Sequence, residues 1–441
     1  MSAARRRAPI ATVAEVEVWG RRVGALAEAL DGGAITFRYD DRFVSGGLEL
    51  SPFHLPLRAG QVYSFPELRR TTAFAGLPGL FADALPDAFG NAVIQRYFAQ
   101  QGRPDAALSP LQRLLYIGRR GMGALEFTPP VLEAQTDAVQ EALHLETLVT
   151  QARAVVAGDT TSALREIMQI GASAGGARAK ALVLWNPATA QMRSGAATAR
   201  DGEEHWLIKF DGVSGGVGGH ALDAAPTPGP YGRIEAVYAE LARLAGIDMA
   251  PTHLFLDGEL AHFGTRRFDR TAAGERVHIH TLGGLRHVDF NESGAYSYEG
   301  WFDTLRSLRL PQTALTEAMR RVAFTVASRN QDDHVKNMAC RMTADGVWSL
   351  APAYDVTWSM GSPWTSQHQM SVRGKRTDIT GADLAALADT YDVPHAQAIL
   401  ADVDAALSEW PTRAGAVGLA PELVAAMATQ FRRLAPVTRA T

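Results

Sequence analysis

From residue 14 to residue 64 apolar and polar side chains alternate in short runs, "VEVWG", "RRVGALAE", "AITFRYD", "GLELS" and "GQVYSF". Glycines and Asp31, Asp40 and Asp41 separate them. A period of two broken at turn residues predicts a small antiparallel sheet. Over 75–100 the spacing changes, and Phe81, Leu85, Phe89, Val93 and Tyr97 recur every fourth residue, as on one helix face. "ALSPLQRLLYIG" and "VQEALHLETLVTQARAVVAG" continue the helical pattern. Residues 1–155 therefore read as a β-then-α module.

The next stretch returns to strands. "GASAGGARAK" (171–180) runs into the strand-like "ALVLW", and "HWLIKF" (205–210) runs into a second glycine-rich loop, "GVSGGVGGH" (212–220). An amphipathic helix, "RIEAVYAELARLAG" (233–246), follows. "THLFL" and "LAHFGTRRF" flank Asp257-Gly258, which predicts a hairpin. From 299 onward helical spacing dominates: "PQTALTEAMRRVAFTVAS" leads into "ASRNQDDHVKNMAC" (327–340), and 381–435 is rich in alanine and leucine. Between them "GVWSLAPAYDVTW" predicts a hairpin, with Asp355 at the end of a strand. Two further divisions result, 156–298 and 299–441, with no internal repeat and no heptad array.

Composition narrows the class. Of 441 residues, 46% are hydrophobic, enough for a sizeable core. The net charge of -4 offers no global attraction to nucleic acid, so any DNA contact has to come from a local patch or a partner. One cysteine, Cys340, excludes an internal disulfide and a cysteine-rich zinc site. Arg5, Arg6 and Arg7 precede no apolar run of signal-peptide length. No window approaches the roughly 18 apolar residues of a membrane span. A soluble, cytoplasmic protein with no membrane partner is expected.

Three segments concentrate chemistry. Small residues from Gly171 to Ala177 let backbone N–H groups approach an anion, or simply make a loop between strands. This is not a Walker A loop, because Ala177 follows Gly176 where that motif needs lysine. Lys209 shares a strand face with Leu207, where an ammonium needs a partner or must snorkel to water. Glu235 could pair with it, or could complement the dipole of its own helix. In "NQDDHVKN", Asp332 and Asn337 have the spacing of a kinase catalytic loop, whose aspartate orients the attacking hydroxyl and whose asparagine ligates Mg²⁺. Asp355 supplies a second carboxylate for such a cation. A hydrolytic metal site on Asp332, Asp333 and His334 is the competing reading, against which adjacent side chains of an extended segment diverge. A solvated turn is the third. Glycine loop, strand lysine, helix glutamate, hairpin, Asp-x4-Asn and a later aspartate nevertheless occur in kinase order.

"SAGGARAK", "HWLIKF", "RRFDR", "NQDDHVKN" and "APAYDVTWS" resemble the signature blocks of HipA-family serine/threonine kinases, the toxins of bacterial toxin–antitoxin modules. "VWGRRVGAL" and "LPGLFADALPDAFGNAVI" are similar to that family's N-terminal region. The resemblance implies a two-lobed, kinase-like α+β fold with a β-rich N-terminal subdomain and a mainly helical C-terminal lobe. It implies ATP and Mg²⁺ as cofactors, Asp332 as the catalytic base, and Asn337 and Asp355 as metal ligands. Gly175, Gly176, Ala177, Arg178, Ala179 and Lys180 match the loop covering ATP, and Ser173 the serine that relatives autophosphorylate. Lys209, His334, Lys336 and Tyr354 match nucleotide contacts, and Arg266, Arg267 and Phe268 the hinge at adenine, where relatives often carry glutamate in place of Arg266. The implied partners are a HipB-like helix-turn-helix antitoxin, which would bring the DNA, and a protein substrate such as an aminoacyl-tRNA synthetase. A catalytically weak nucleotide-binding regulator acting through an antitoxin–operator complex is the alternative.

Overall fold

The computed structural model describes residues 13–29, 34–100, 102, 108–129, 142–157, 178–213, 229–361 and 363–435. Arg5 to Arg7, Ser173, Gly175, Gly176, Ala177 and nearly all of the second glycine-rich loop lie outside the described residues.

The alternation near the N-terminus yields β1 (Val13–Val18), β2 (Arg21–Glu28), β3 (Ile35–Tyr39) and β4 (Val62–Ser64), joined at the edge by β5 (Leu125–Thr128). The sheet is antiparallel, in the order β4-β3-β2-β1-β5. Every second side chain of β1, Val16 and Val18 among them, is fully buried. A helix from Pro110 to Ile117, capped by Ser109 and Gln112 in a capping box, packs on that face through Leu111, Leu114 and Leu115.

The second sheet holds β6 (Ala142–Leu143), β7 (Lys180–Trp185), β8 (Met192–Ser194), β9 (Glu204–Lys209), β10 (Thr252–Asp257) and β11 (Leu260–Arg266). Its order is β10-β11-β9-β7-β8-β6, again antiparallel. The β10–β11 hairpin forms as its sequence predicts, with Asp257 opposite Leu260 and Gly258 at φ 57°. Helices Ala88–Gln100 and Leu145–Ala157 cover one side of this sheet through Phe89, Val93, Leu148 and Val149.

β12 (His278–Thr281), β13 (Ala339–Met342) and β14 (Trp348–Leu350) form a third, small sheet. Here the expected hairpin is displaced toward the N-terminus: Cys340 to Met342 pair with Trp348 to Leu350, and the ladder stops before Asp355. Pro352 lacks the N–H that a further rung would need. Ala353 instead donates to the Asp248 carbonyl, and Asp355 takes a left-handed φ of 56° rather than ending a strand.

The helical half is built on Gln312–Ser328, whose buried face includes Leu315, Met319, Val322, Phe324 and Val326. Each such side chain contributes about 1.5–3 kcal/mol of burial, so the helix is a firm base for the loop at its C-terminal end. Arg329 ends the helix in the left-handed region at φ 63°. That turn leads into residues 330–337, where Asn330 bridges to Ser359. Among the described residues no helix is long and apolar enough to cross a membrane.

Candidate active site

One open cleft collects side chains from all three sheets. Its lining includes Lys180 and Lys209 from neighbouring strands, Glu235, Arg266 to Phe268, Lys336, Asn337, and Tyr354 to Val356. Lys180 and Lys209 are register partners across β7 and β9, so both reach the same face, as does Leu207 two residues before Lys209.

Lys209 settles the question its strand position poses. Its ammonium lies 2.5 Å from Glu235 and also bonds the Asp355 carboxylate, with the Lys209 side chain only 11% exposed. The helix carrying Glu235 begins at Tyr231, so Glu235 lies in its second turn and serves Lys209 rather than the helix end. Gly232 makes this docking possible, because a Cβ there would stand 1.9 Å from the Ala261 carbonyl oxygen of β11. Burial would lower the Lys209 pKa, but the Asp355 and Glu235 carboxylates together hold it above its ordinary value. Burial would raise Asp355, and Lys209 pulls it well below the carboxylate range. Glu235 stays raised, chiefly by burial. Two carboxylates against one ammonium leave the trio one positive charge short.

The loop after the long helix separates its charged residues. Asp333 is buried and accepts from the Tyr298 hydroxyl (2.7 Å), His368 Nδ1 (2.9 Å) and the Gln369 N–H (2.7 Å). Burial would raise its pKa, but His368 and these hydrogen bonds keep it low. Asp332 points the other way, 32% exposed, with Oδ1 accepting from Trp364 Nε1 at 2.8 Å. The two adjacent carboxylates therefore cannot share an ion, and the hydrolytic site on Asp332, Asp333 and His334 is not assembled. His334 Nε2 stands 3.9 Å from Asp332, and its Nδ1 is buried with no partner among the described residues. Asn337 donates through Nδ2 to the Asp332 carbonyl at 2.9 Å, which leaves the amide oxygen as the end available to a cation. The Tyr354 hydroxyl bonds the Lys336 carbonyl at 2.6 Å, tying Asp355's segment to this loop. Burial lowers the Lys336 pKa.

The hinge is structurally committed. Arg266 N–H donates to the Pro251 carbonyl and Arg267 N–H to that of His205, so neither is free for a ligand. The Arg266 guanidinium turns outward to Glu204. Arg267 binds buried Asp269 through Nε and Nη2, and Arg270 also pairs with it, so Arg267, Asp269 and Arg270 form a structural ion network. Phe268 lies 5.6 Å from Tyr354, and these rings with Leu207, Met249, Phe263 and Val356 give the cleft an apolar lining beside Lys209, whose ammonium is 5.8 Å from the Phe263 ring. Arg178 stacks over the Tyr231 ring, and Ala179 is buried with its carbonyl accepting from Phe210. Neither lines the cleft.

The N-terminal module completes the walls, which sequence reasoning missed. Asp87 caps its helix at the Gly90 N–H and reaches Lys180 at 3.0 Å. Asp83, also lining the cleft, accepts from His280 Nδ1 and from the N–H and hydroxyl of Thr281. Met122 to Leu125 close the same side. No local pattern announces these residues, because their partners lie far away in the chain.

Among the described residues no group of three or more histidine, cysteine, aspartate or glutamate side chains is placed to hold a metal ion alone. Asp355 and Asn337 both line the cleft and supply a carboxylate and an amide oxygen, the donor types that Mg²⁺ accepts when phosphates supply further ligands. Lysines beside an apolar, aromatic lining in one cleft offer partners for the phosphates and the base of a nucleotide, with carboxylate and amide oxygens for its cation. The residues present fit both groups.

Residues 172–410 match the family model described as HipA-like C-terminal domain, and residues 14–128 match that described as HipA N-terminal domain. A solved chain of the Shewanella oneidensis MR-1 toxin–antitoxin complex of HipA, HipB and operator DNA is similar over 95% of each chain, with 18% identity and a TM-score of 0.65. This likeness bears out the expected two-lobed α+β fold. The Helicobacter pylori proinflammatory kinase CtkA aligns over 52% of this chain and 88% of its own, at 10% identity and a TM-score of 0.32, too distant for any conclusion. No curated protein matches.

Proposed function

The chain belongs to the HipA family, and on that premise we propose that it is an ATP- and Mg²⁺-dependent serine/threonine protein kinase, the toxin of a toxin–antitoxin module. The observation that carries this reading is the Lys209–Glu235–Asp355 network, set in one cleft with Asn337 and Lys336.

In this reading Lys209 exchanges Asp355 for a phosphate oxygen while Glu235 keeps the lysine in place. Lys180 and Lys336 add positive charge to the phosphate end, and Gly175, Gly176 and Ala177 are the segment assigned to cover it. Asp355 and Asn337 hold Mg²⁺, which when bound spreads the charge developing on the transferred phosphoryl group. Phe268, Tyr354 and the Arg266–Arg267 backbone border the base, and His334 stands beside the phosphates. Asp332 orients the acceptor hydroxyl and takes its proton as the oxygen–phosphorus bond forms and the bridging oxygen leaves with ADP. Holding the reactants in line in a walled site supplies most of the rate.

The acceptors are Ser173 of the chain itself and a translation component such as an aminoacyl-tRNA synthetase. A HipB-like helix-turn-helix antitoxin is the partner, and DNA is reached through it. The similar solved chain comes from a complex with HipB and operator DNA, which supports that assignment. The site of action is cytoplasmic.

Incubation with Mg²⁺ and ATP followed by mass spectrometry tests the reading. Wild type gains one phosphate, on Ser173, and Asp332→Asn gains none while still binding nucleotide in calorimetry. Binding without transfer to the chain or to a synthetase fraction would instead identify a nucleotide-binding regulator.

A further inference from the structure

We infer that Trp364 is a positioning residue for phosphoryl transfer, its indole N–H fixing the Asp332 carboxylate so that the second oxygen faces the acceptor. This deepens the kinase reading and rests on it.

Among the described residues the Trp364 Nε1 bond, 2.8 Å to Oδ1, is the one hydrogen bond made to that carboxylate. A partly exposed aspartate on a loop otherwise samples several rotamers. A single donor on one oxygen selects the rotamer and leaves the other oxygen's lone pairs for an incoming hydroxyl.

The donor is itself held by the neighbouring aspartate. Asp333 accepts from His368 and from the Gln369 N–H, bolting residues 368–369 to the loop. Gln369 Nε2 donates back to the carbonyls of Gln331 (3.1 Å) and Trp364 (2.6 Å). Ser293 donates to the Gln369 Oε1, and Arg376 Nε donates to the His368 carbonyl. Of the two adjacent carboxylates, Asp333 therefore anchors the segment whose tryptophan orients Asp332. This division of labour explains why both charges sit side by side in "QDDH".

Single-turnover incorporation of phosphate from labelled ATP into the chain itself, measured against ATP concentration, tests the inference. Trp364→Phe keeps the ring and removes the N–H. Its maximal rate is expected to fall about ten-fold, the size of one hydrogen bond to a charged group, with half-saturating ATP and melting temperature unchanged. Trp364→Ala, which also removes the ring, should fall at least as far. An unchanged rate in Trp364→Phe, or a faster one in Trp364→Ala as a steric gate would give, overturns the inference while wild-type transfer keeps the kinase reading intact. A wild type that transfers nothing overturns both. Should Trp364→Phe melt early, Gln369→Ala, which loosens the segment without touching the ring, must show the same loss of rate at unchanged half-saturation.

Discussion

Replacing Lys209 with methionine keeps the volume of the stem and deletes the ammonium that two carboxylates share. Removing one member of a buried ion pair costs about 3–5 kcal/mol, because the abandoned charge stays desolvated. Glu235, 4% exposed, is the abandoned charge here, while Asp355, 31% exposed at the cleft, is screened by water and adds less. In a protein of 441 residues that loss lowers the melting temperature by about 3–5 °C. The pH dependence carries a sign. Burial already raises Glu235, which moves further up without Lys209, while Asp355 loses the partner that holds it low. A carboxyl whose folded pKa exceeds its unfolded value destabilises above that pKa, so the deficit is largest near pH 8. It shrinks toward pH 5, where a proton substitutes for the missing ammonium. In the wild type the depressed Asp355 contributes stability that is present above the unfolded value of about 3.9 and is lost in acid below this window. Thermal melts by circular dichroism from pH 5 to pH 8, paired with calorimetric ATP binding, measure both effects. A deficit under about 1 °C, as from a solvated surface pair, or one independent of pH, refutes the reasoning.

Gly232→Ala forces the helix bearing Glu235 away from Ala261 and should cost about 1–3 kcal/mol of overpacking. ATP affinity should fall with it, because Glu235 no longer meets Lys209; calorimetry showing wild-type affinity would contradict that. Asp333→Asn turns an acceptor met by three donors into an amide that can accept from only one side, and should destabilise by about 3–5 kcal/mol in urea titrations near pH 7. Because the folded Asp333 pKa is depressed, its contribution is present above the unfolded value of about 3.9 and lost below it. Wild type and variant should therefore converge in acid, and parallel curves down to pH 3 would count against the anchor.

Much of the candidate site is legible before any coordinates. The order of Lys209, Glu235, Asp332, Asn337 and Asp355 along the chain, with strand and helix periods around them, is enough to suggest phosphoryl transfer. Period two alone places Lys209 beside Leu207 on the cleft face. Less legible is what each residue does with its neighbours. Glu235 reads equally as partner and as helix-end charge until the helix start at Tyr231 separates the two. The strand expected to carry Asp355 fails because Pro352 cannot donate, and the aspartate arrives on a left-handed turn instead.

The chain by itself determined the elements and the donor set, because periodicity, capping and side-chain chemistry are local properties. Tertiary structure alone decided which charges are spent on architecture. Arg267 and Asp269 neutralise each other within the protein, Asp333 bolts down a distant segment, and Asp87 joins the N-terminal module to Lys180. Trp364 reaches Asp332 only through the fold. A buried charge must be neutralised wherever the packing brings a partner, and sequence distance carries no record of where that is.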